Sequence, residues 1–283
     1  MSALVSAGRI GLARGRIELR QTFTNTQDLW SYLFPTIVVI VVMLFMRDSK
    51  VPGVNFSLGS LTLPSVIGMS IAFGGLVNLA QQLVTEREDG TLLRAKAIPN
   101  GMLGYLIGKI VQSAGMVLIG VVLTLVPGIF LFQGLDLGLG SWLSLIGIVA
   151  LGLVATMPLG AVIGSLIGSP RSMGLVMMPI MGTVGISGIF YPITSLPSWL
   201  QGIAQMFPIY WTGLGTRAAL LPGSLAVVEL GHSWRHLETV GVLAAWAVAG
   251  LILAPIVLRR MARRESGSAV AARREKALQR VPR

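Results

Sequence analysis

The chain has 283 residues, 53% of them hydrophobic and only 12% charged, with a formal net charge of +11. That is far more apolar side chain than one soluble core needs, so the sequence reads as an all-α integral membrane protein of several spans. With no cysteine and two histidines, disulfides, thiolate metal sites and a His-built metal centre are excluded. The positive charges collect at the ends of apolar spans, which speaks for membrane topology and against nucleic acid as a partner.

The first 28 residues are expected to form an interfacial amphipathic helix over residues 3–27. Val5, Leu12, Leu19 and Phe23 draw one apolar line with Arg9, Arg16 and Arg20 beside it, while Ile10 and Ile17 fall off the line. Basic residues continue to Arg20 and no small-residue cleavage site follows an early apolar core, so the first span is expected to act as an uncleaved anchor.

Six spans are predicted, near residues 29–46, 61–84, 102–132, 142–168, 174–191 and 239–258, within a membrane unit covering 29–258. Each approaches the roughly 20 residues that cross a hydrocarbon layer. Pro35 is placed near the start of the first span, where a missing amide costs least. Gly160, Gly164 and Gly168 recur every fourth residue and mark a helix-packing seam. Lys109 is the one ionisable residue inside a span and is expected to snorkel to the headgroups.

Charge counting orients the chain. Only Arg47, Lys50, Arg217 and Arg235 fall on the face opposite the N-terminus, and every other Lys and Arg except Lys109 falls on the N-terminal side. Both termini are therefore expected in the cytoplasm. The tail over residues 259–283 carries nine basic residues and reads as an anchor facing anionic membrane lipid.

Two connecting segments stand out. Residues 85–101 form the densest charged stretch between two apolar runs. Thr85 and Glu88 have the spacing of a capping box that opens a short helix, Gly90 can end the turn, Leu92, Leu93 and Ile98 offer apolar anchors, and Pro99 starts the next helix. Such a helix reads either as a surface for another protein to grip or as an ordinary charged loop. Residues 192–238 are broken by Pro192, Pro197, Pro208 and Pro222 into pieces too short to span, and carry Trp199, Tyr210 and Trp211. They read as a pair of half-inserted helices on the outer face.

Catalytic motifs are mostly missing. There is no Gly-x-x-x-x-Gly-Lys-Ser/Thr loop and no His-Glu-x-x-His. Gly185-Ile186-Ser187-Gly188 resembles the serine motif of rhomboid intramembrane proteases, and six spans fit that class. Such a serine needs a histidine base within reach, yet His232 and His236 both precede the last span. Ser187 is thus read as a packing residue, with a membrane serine protease as the rival enzyme and a purely structural scaffold as a third reading. No acidic residue lies at mid-span, so an ion-driven carrier lacks its usual parts. Energy must then enter from elsewhere.

Glu86-Arg87-Glu88-Asp89-Gly90-Thr91-Leu92, followed by Pro99 and Gly108-Lys109, resembles the signature of ABC transporter permease subunits of the type-2 exporter class, which includes drug-resistance, antibiotic-export and polysaccharide-export permeases. Ser187 to Pro192, Leu196-Pro197-x-Trp199-Leu200, Pro208 and Arg217-Ala218-Ala219-Leu220 are similar to the same family's outer segment. Together the resemblance covers about residues 28–260. Arg94 to Ile98 depart from the leucine and threonine usual there, which bears on the choice of ATPase, not on the mode of contact.

The resemblance implies a permease subunit of an ATP-driven exporter in the bacterial cell membrane, paired with a second permease subunit and with separate ATP-binding cassette ATPase subunits. The chain itself would bind no cofactor, and ATP and Mg would enter through the partner. Thr85, Glu86, Arg87, Glu88, Gly90, Thr91, Leu92, Leu93 and Arg94 would make the coupling contact: Glu86 and Glu88 as charges for basic ATPase residues, Leu92 and Leu93 as buried anchors. The path between subunits would be lined by the second and fifth spans, with Phe73, Asn78, Met177, Met178, Met181 and Phe190 as candidates. Methionines suit a permissive apolar surface. Tyr191, Pro192, Pro197, Trp199 and Pro208 would form an outer gate. The cargo expected is an amphipathic drug, antibiotic or lipid-like molecule, with lipid-linked polysaccharide as the alternative.

Overall fold

The computed structural model describes residues 3–51, 54–98 and 101–264. Pro99 and the tail beyond Arg264 lie outside the described residues. Among the described residues the main helices are α1 Ala3–Thr24, α2 Thr26–Phe45, α3 Leu58–Glu88, α4 Thr91–Lys96, α5 Gly101–Leu131, α6 Leu139–Leu166, α7 Pro170–Ile186, α8 Ser198–Met206, α9 Pro208–Leu220 and α10 His236–Arg264. No strand occurs among the described residues. Helices α3, α5, α6 and α10 are long and apolar enough to cross a membrane, and α2 and α7 carry the shorter apolar stretches Leu33–Phe45 and Ser172–Ile186. The protein is an all-α, multi-pass membrane protein.

Helix α3 is the central post. It packs against α5, α6 and α9, and of the four long apolar helices it is the most deeply buried. At Gly74–Asn78 it widens into a π turn, a feature that in helices often accompanies function. Small residues let α6 close on that turn. A Cβ on Gly160 would overlap the Gly75 carbonyl, and Gly164 lies against Ala80. Gly168 does not extend this seam: α6 ends at Leu166, and nothing lies within 4 Å of a Cβ placed at Gly168.

Helix α1 runs in the same direction as the first part of α5 and packs along it. Its buried stripe is Ala7, Gly11 and Gly15, which meets Gly104, Ile107 and Gly108. Of the expected apolar line, Val5 and Leu12 instead point away from the protein, each 50% exposed, and Phe23 is exposed too, while Leu19 is half-buried against Gly115 of α5. Close helix approach selects small side chains, so the larger apolar residues go to the outer face. A second departure concerns Pro35. Helix α2 starts at Thr26, with the Asn25 side chain accepting from the Gln27 amide at 3.0 Å, and so places Pro35 well inside the helix.

The segment between α7 and α10 folds as the helix pair α8 and α9, meeting at Phe207. The Trp211 indole donates to the Gln205 carbonyl at 2.7 Å across this break, and the Trp246 indole of α10 donates to the Met206 carbonyl at 3.0 Å. Helix α9 inserts deeply beside α3, with Gly68 of α3 against the backbone of Thr212 and Gly213.

Candidate functional site

The charge-rich stretch over residues 85–101 is built differently from the capping-box expectation. Thr85 and Glu88 lie in the last turn of α3, because the buried series Leu79, Ala80, Leu83 and Val84 carries the helix on without a breaker. Thr85 therefore has helical backbone and cannot act as a cap. The chain turns at Asp89 and Gly90, where φ is 80°, a left-handed value that glycine adopts without a side-chain clash. The Asp89 carboxylate then accepts from the Thr91 amide at 2.8 Å and opens α4. The separate helix is Thr91–Lys96, shorter than the 85–101 expected.

Within α4, Leu92 and Ala95 are buried in the protein's own core. Leu92 therefore packs within the chain's own core, at 1% exposure. A short helix tied to spans at both ends turns its i, i+3 apolar pair toward the bundle. Arg94, Lys96 and Ile98 point outward, Ile98 being 61% exposed, and Leu93 is half-buried. The Arg94 guanidinium donates to the Thr91 hydroxyl at 2.7 Å.

Glu86 faces inward, toward a cluster that joins three helices. The Lys109 ammonium of α5, only 3% exposed, bonds Glu86 of α3 and, at 2.6 Å, Glu18 of α1. It also donates to Gln112 Oε1 at 3.0 Å. Arg14 donates to Glu18 at 2.6 Å, lies 3.9 Å from Glu86 and stacks over the Tyr105 ring at 4.9 Å. Lys109 therefore does not snorkel. Two carboxylates come to it, because a buried cation is tolerated only when paired. Arg87 turns the other way and donates to the Ile167 carbonyl at the end of α6, at 3.4 Å.

A second buried ionic site lies at the opposite end of α3. Arg217 of α9 forms a two-pronged pair with Glu229, at 2.6 and 3.2 Å, and donates to Ser65 of α3 at 2.9 Å and to the Gly188 carbonyl at 3.4 Å. The neighbouring Thr216 hydroxyl donates to the Pro64 carbonyl of α3 at 2.6 Å. Gly188, the residue after Ser187, is thereby tied to the clamp. The Ser187 hydroxyl is buried and spends its proton on the Val184 carbonyl at 2.7 Å, while the His232 ring bonds the Val227 carbonyl.

The six path candidates divide. Asn78, Met178 and Met181 are exposed on α3 and α7. Phe73, Met177 and Phe190 are half-buried in packing around the α3–α7 contact. In the outer segment, Tyr191 donates to the Gly185 carbonyl, Pro197 precedes α8, Trp199 is 64% exposed on it, and Pro208 is buried at the first position of α9.

The family model described as ABC-2 family transporter protein matches residues 36–256, from within α2 to within α10. The chain belongs to the ABC-2 transporter family. Among curated proteins, none matches it. ABC-2 permeases are the membrane subunits of transporters that associate with separate ABC ATPase subunits, and are not themselves catalytic. Membership accounts for the lack of a phosphate-binding loop and removes the protease reading of Ser187.

The sequence pointed to Glu86, Lys109 and Arg217 but missed their partners Glu18 and Glu229. Two signals point to Glu18. Lys109 in an apolar span requires a carboxylate, and Arg14 and Glu18 share the i, i+4 spacing of a helical ion pair.

Proposed function

We propose that this ABC-2 permease is the membrane half of an ATP-driven exporter whose path runs along the free side of α3 and the methionine face of α7. One observation carries the reading. The three residues that α3 leaves exposed are Asn78, Gln81 and Thr85, all polar and running from the end of the π turn to the last turn of the helix. A polar stripe on an otherwise buried membrane helix faces water or a partner subunit, since lipid offers it no hydrogen bonds. Met178 and Met181, 72% and 49% exposed, supply a deformable apolar wall opposite.

In this reading a second permease subunit completes the path, both termini lie in the cytoplasm of a bacterial cell, and the cargo is an amphipathic drug, antibiotic or lipid-like molecule. The turn at Asp89–Gly90 and the outward side chains of α4 contact the ATPase, which brings ATP and Mg. Closure of the ATPase pair displaces this turn. The Glu86–Lys109–Glu18 cluster passes the displacement to α5 and α1, because a buried ion pair resists separation.

The chain has no cysteine, so Asn78→Cys introduces a unique thiol. With the permease and its ATPase in vesicles, a membrane-impermeant maleimide is expected to label this thiol and to label it more slowly when ATP is trapped. Ile252→Cys, on an outward apolar face, is expected to stay unlabelled. An inert thiol at position 78 in both states contradicts the reading.

A further inference from the structure

Helix α7 is apolar on two opposite faces, and only one of them belongs to the path. Met178 and Met181 lie on the first. Pro179, Ile180 and Thr183 lie on the other and line a cavity of about 310 Å³ beneath the α8–α9 break. Its inner wall is Leu76 of the π turn together with Pro208 and Ile209 of α9, all buried. Its volume reaches the lower end of the roughly 300–1,000 Å³ range of small-molecule sites.

The lining identifies what fits. Its two side-chain polar groups are already used: the Thr183 hydroxyl donates to the Ile180 carbonyl at 2.7 Å, and the Trp246 indole to the Met206 carbonyl at 3.0 Å. A water needs two to four polar partners, so these walls offer it too little. A charged or polar ligand head would be equally unsupported. The rim residues Val162, Pro179 and Trp246 sit on membrane helices whose outward side chains are apolar, including Leu166 at 71%, Leu175 at 73% and Ile252 at 60% exposure. The cavity therefore continues the hydrocarbon-facing surface inward.

We propose that this cavity holds one acyl chain of a membrane phospholipid, which enters between α7 and α10 and ends against the π turn. Each methylene taken from another apolar medium gains little by transfer, so the binding energy comes from close packing and from filling a void that would otherwise forfeit its contacts. The headgroup stays outside. The site lies behind α7 from the path and does not depend on which cargo is exported.

The test uses the full-length permease in phosphatidylcholine vesicles doped with a phosphatidylcholine bearing a photoactivatable diazirine midway along one chain. After irradiation, peptide mapping is expected to find adducts on Leu76, Pro208 or Ile209, which bulk lipid cannot touch. Val162→Trp fills the entrance and should reduce those adducts about tenfold, which corresponds to about 1.4 kcal/mol of lost packing contacts. Adducts on the exposed Ile252 should be unchanged, which reports that the variant is folded. Ile180→Phe, a smaller obstruction, should give an intermediate loss. Adducts confined to exposed helix faces would overturn the proposal. So would inner-wall adducts from a single-chain fatty-acid probe but not from the phospholipid, or inner-wall adducts that persist in Val162→Trp.

Discussion

The two ionic sites at the ends of α3 make an instructive pair. At the α9 end, Arg217 and Glu229 lie twelve residues apart, are both buried and meet in a two-pronged geometry, with every further bond of the guanidinium made to α3 or just past the end of α7. At the α4 end, Lys109 is buried but its two carboxylates and Arg14 are partly solvated, and the four charges come from the three helices α1, α3 and α5. The first site holds α9 to α3 as a fully buried clamp. The second joins α1, α3 and α5 through partly exposed charges, and in the proposed reading it is the coupling junction.

Removing a member should therefore have different consequences at the two ends. The largest effect is expected for Arg217→Ala, which strands a buried carboxylate and should cost about 3–5 kcal/mol of stability, seen as a fall in detergent-resistant folded protein. Glu229→Gln should lose somewhat less, because the amide can still accept one of the two bonds. At the α4 end, Lys109→Met should cost only about 1–3 kcal/mol, since both carboxylate side chains keep 18% exposure and Arg14 remains beside them. The protein should remain folded in the membrane while ATP-driven transport is lost. Equal destabilisation by Arg217→Ala and Lys109→Met would remove the distinction between clamp and junction.

Between the ends, Gly160→Val should push α6 off the π turn and cost about 1–3 kcal/mol, as overpacking does. The smallest stability effect, within about 0.5 kcal/mol, is expected for Asn78→Leu, an exposed change. Its signature is altered transport with unchanged folding, measured as cargo uptake into inverted vesicles.

Much of this architecture can be read from residue order, for reasons that differ by element. Apolar runs near the bilayer thickness reveal the membrane helices, and the prolines at 192, 197 and 208 reveal that the outer segment cannot span. The α3–α4 turn is visible as a charge-rich stretch, but its internal boundaries are not. Thr85 and Glu88 have capping-box spacing, yet the tertiary burial of Leu83 and Val84 extends α3 past them. Leu92 looked like an anchor for a partner because sequence alone does not show which side of a short helix the bundle covers. Glu18 was hidden for another reason. It is 91 residues from Lys109, and only the Gly11–Gly15 stripe, which brings α1 against α5, places the two charges together.

The most direct test of ATP-driven coupling through the α3–α4 turn is site-specific photocrosslinking in an active complex of the permease with its ATP-binding subunit. Benzoylphenylalanine replacing Arg94 should capture the ATP-binding subunit, with a yield that changes when ATP is bound, and the same group replacing Val227 on the outer turn should capture none. An active complex in which position 94 yields no adduct, or in which position 227 does, would contradict the account.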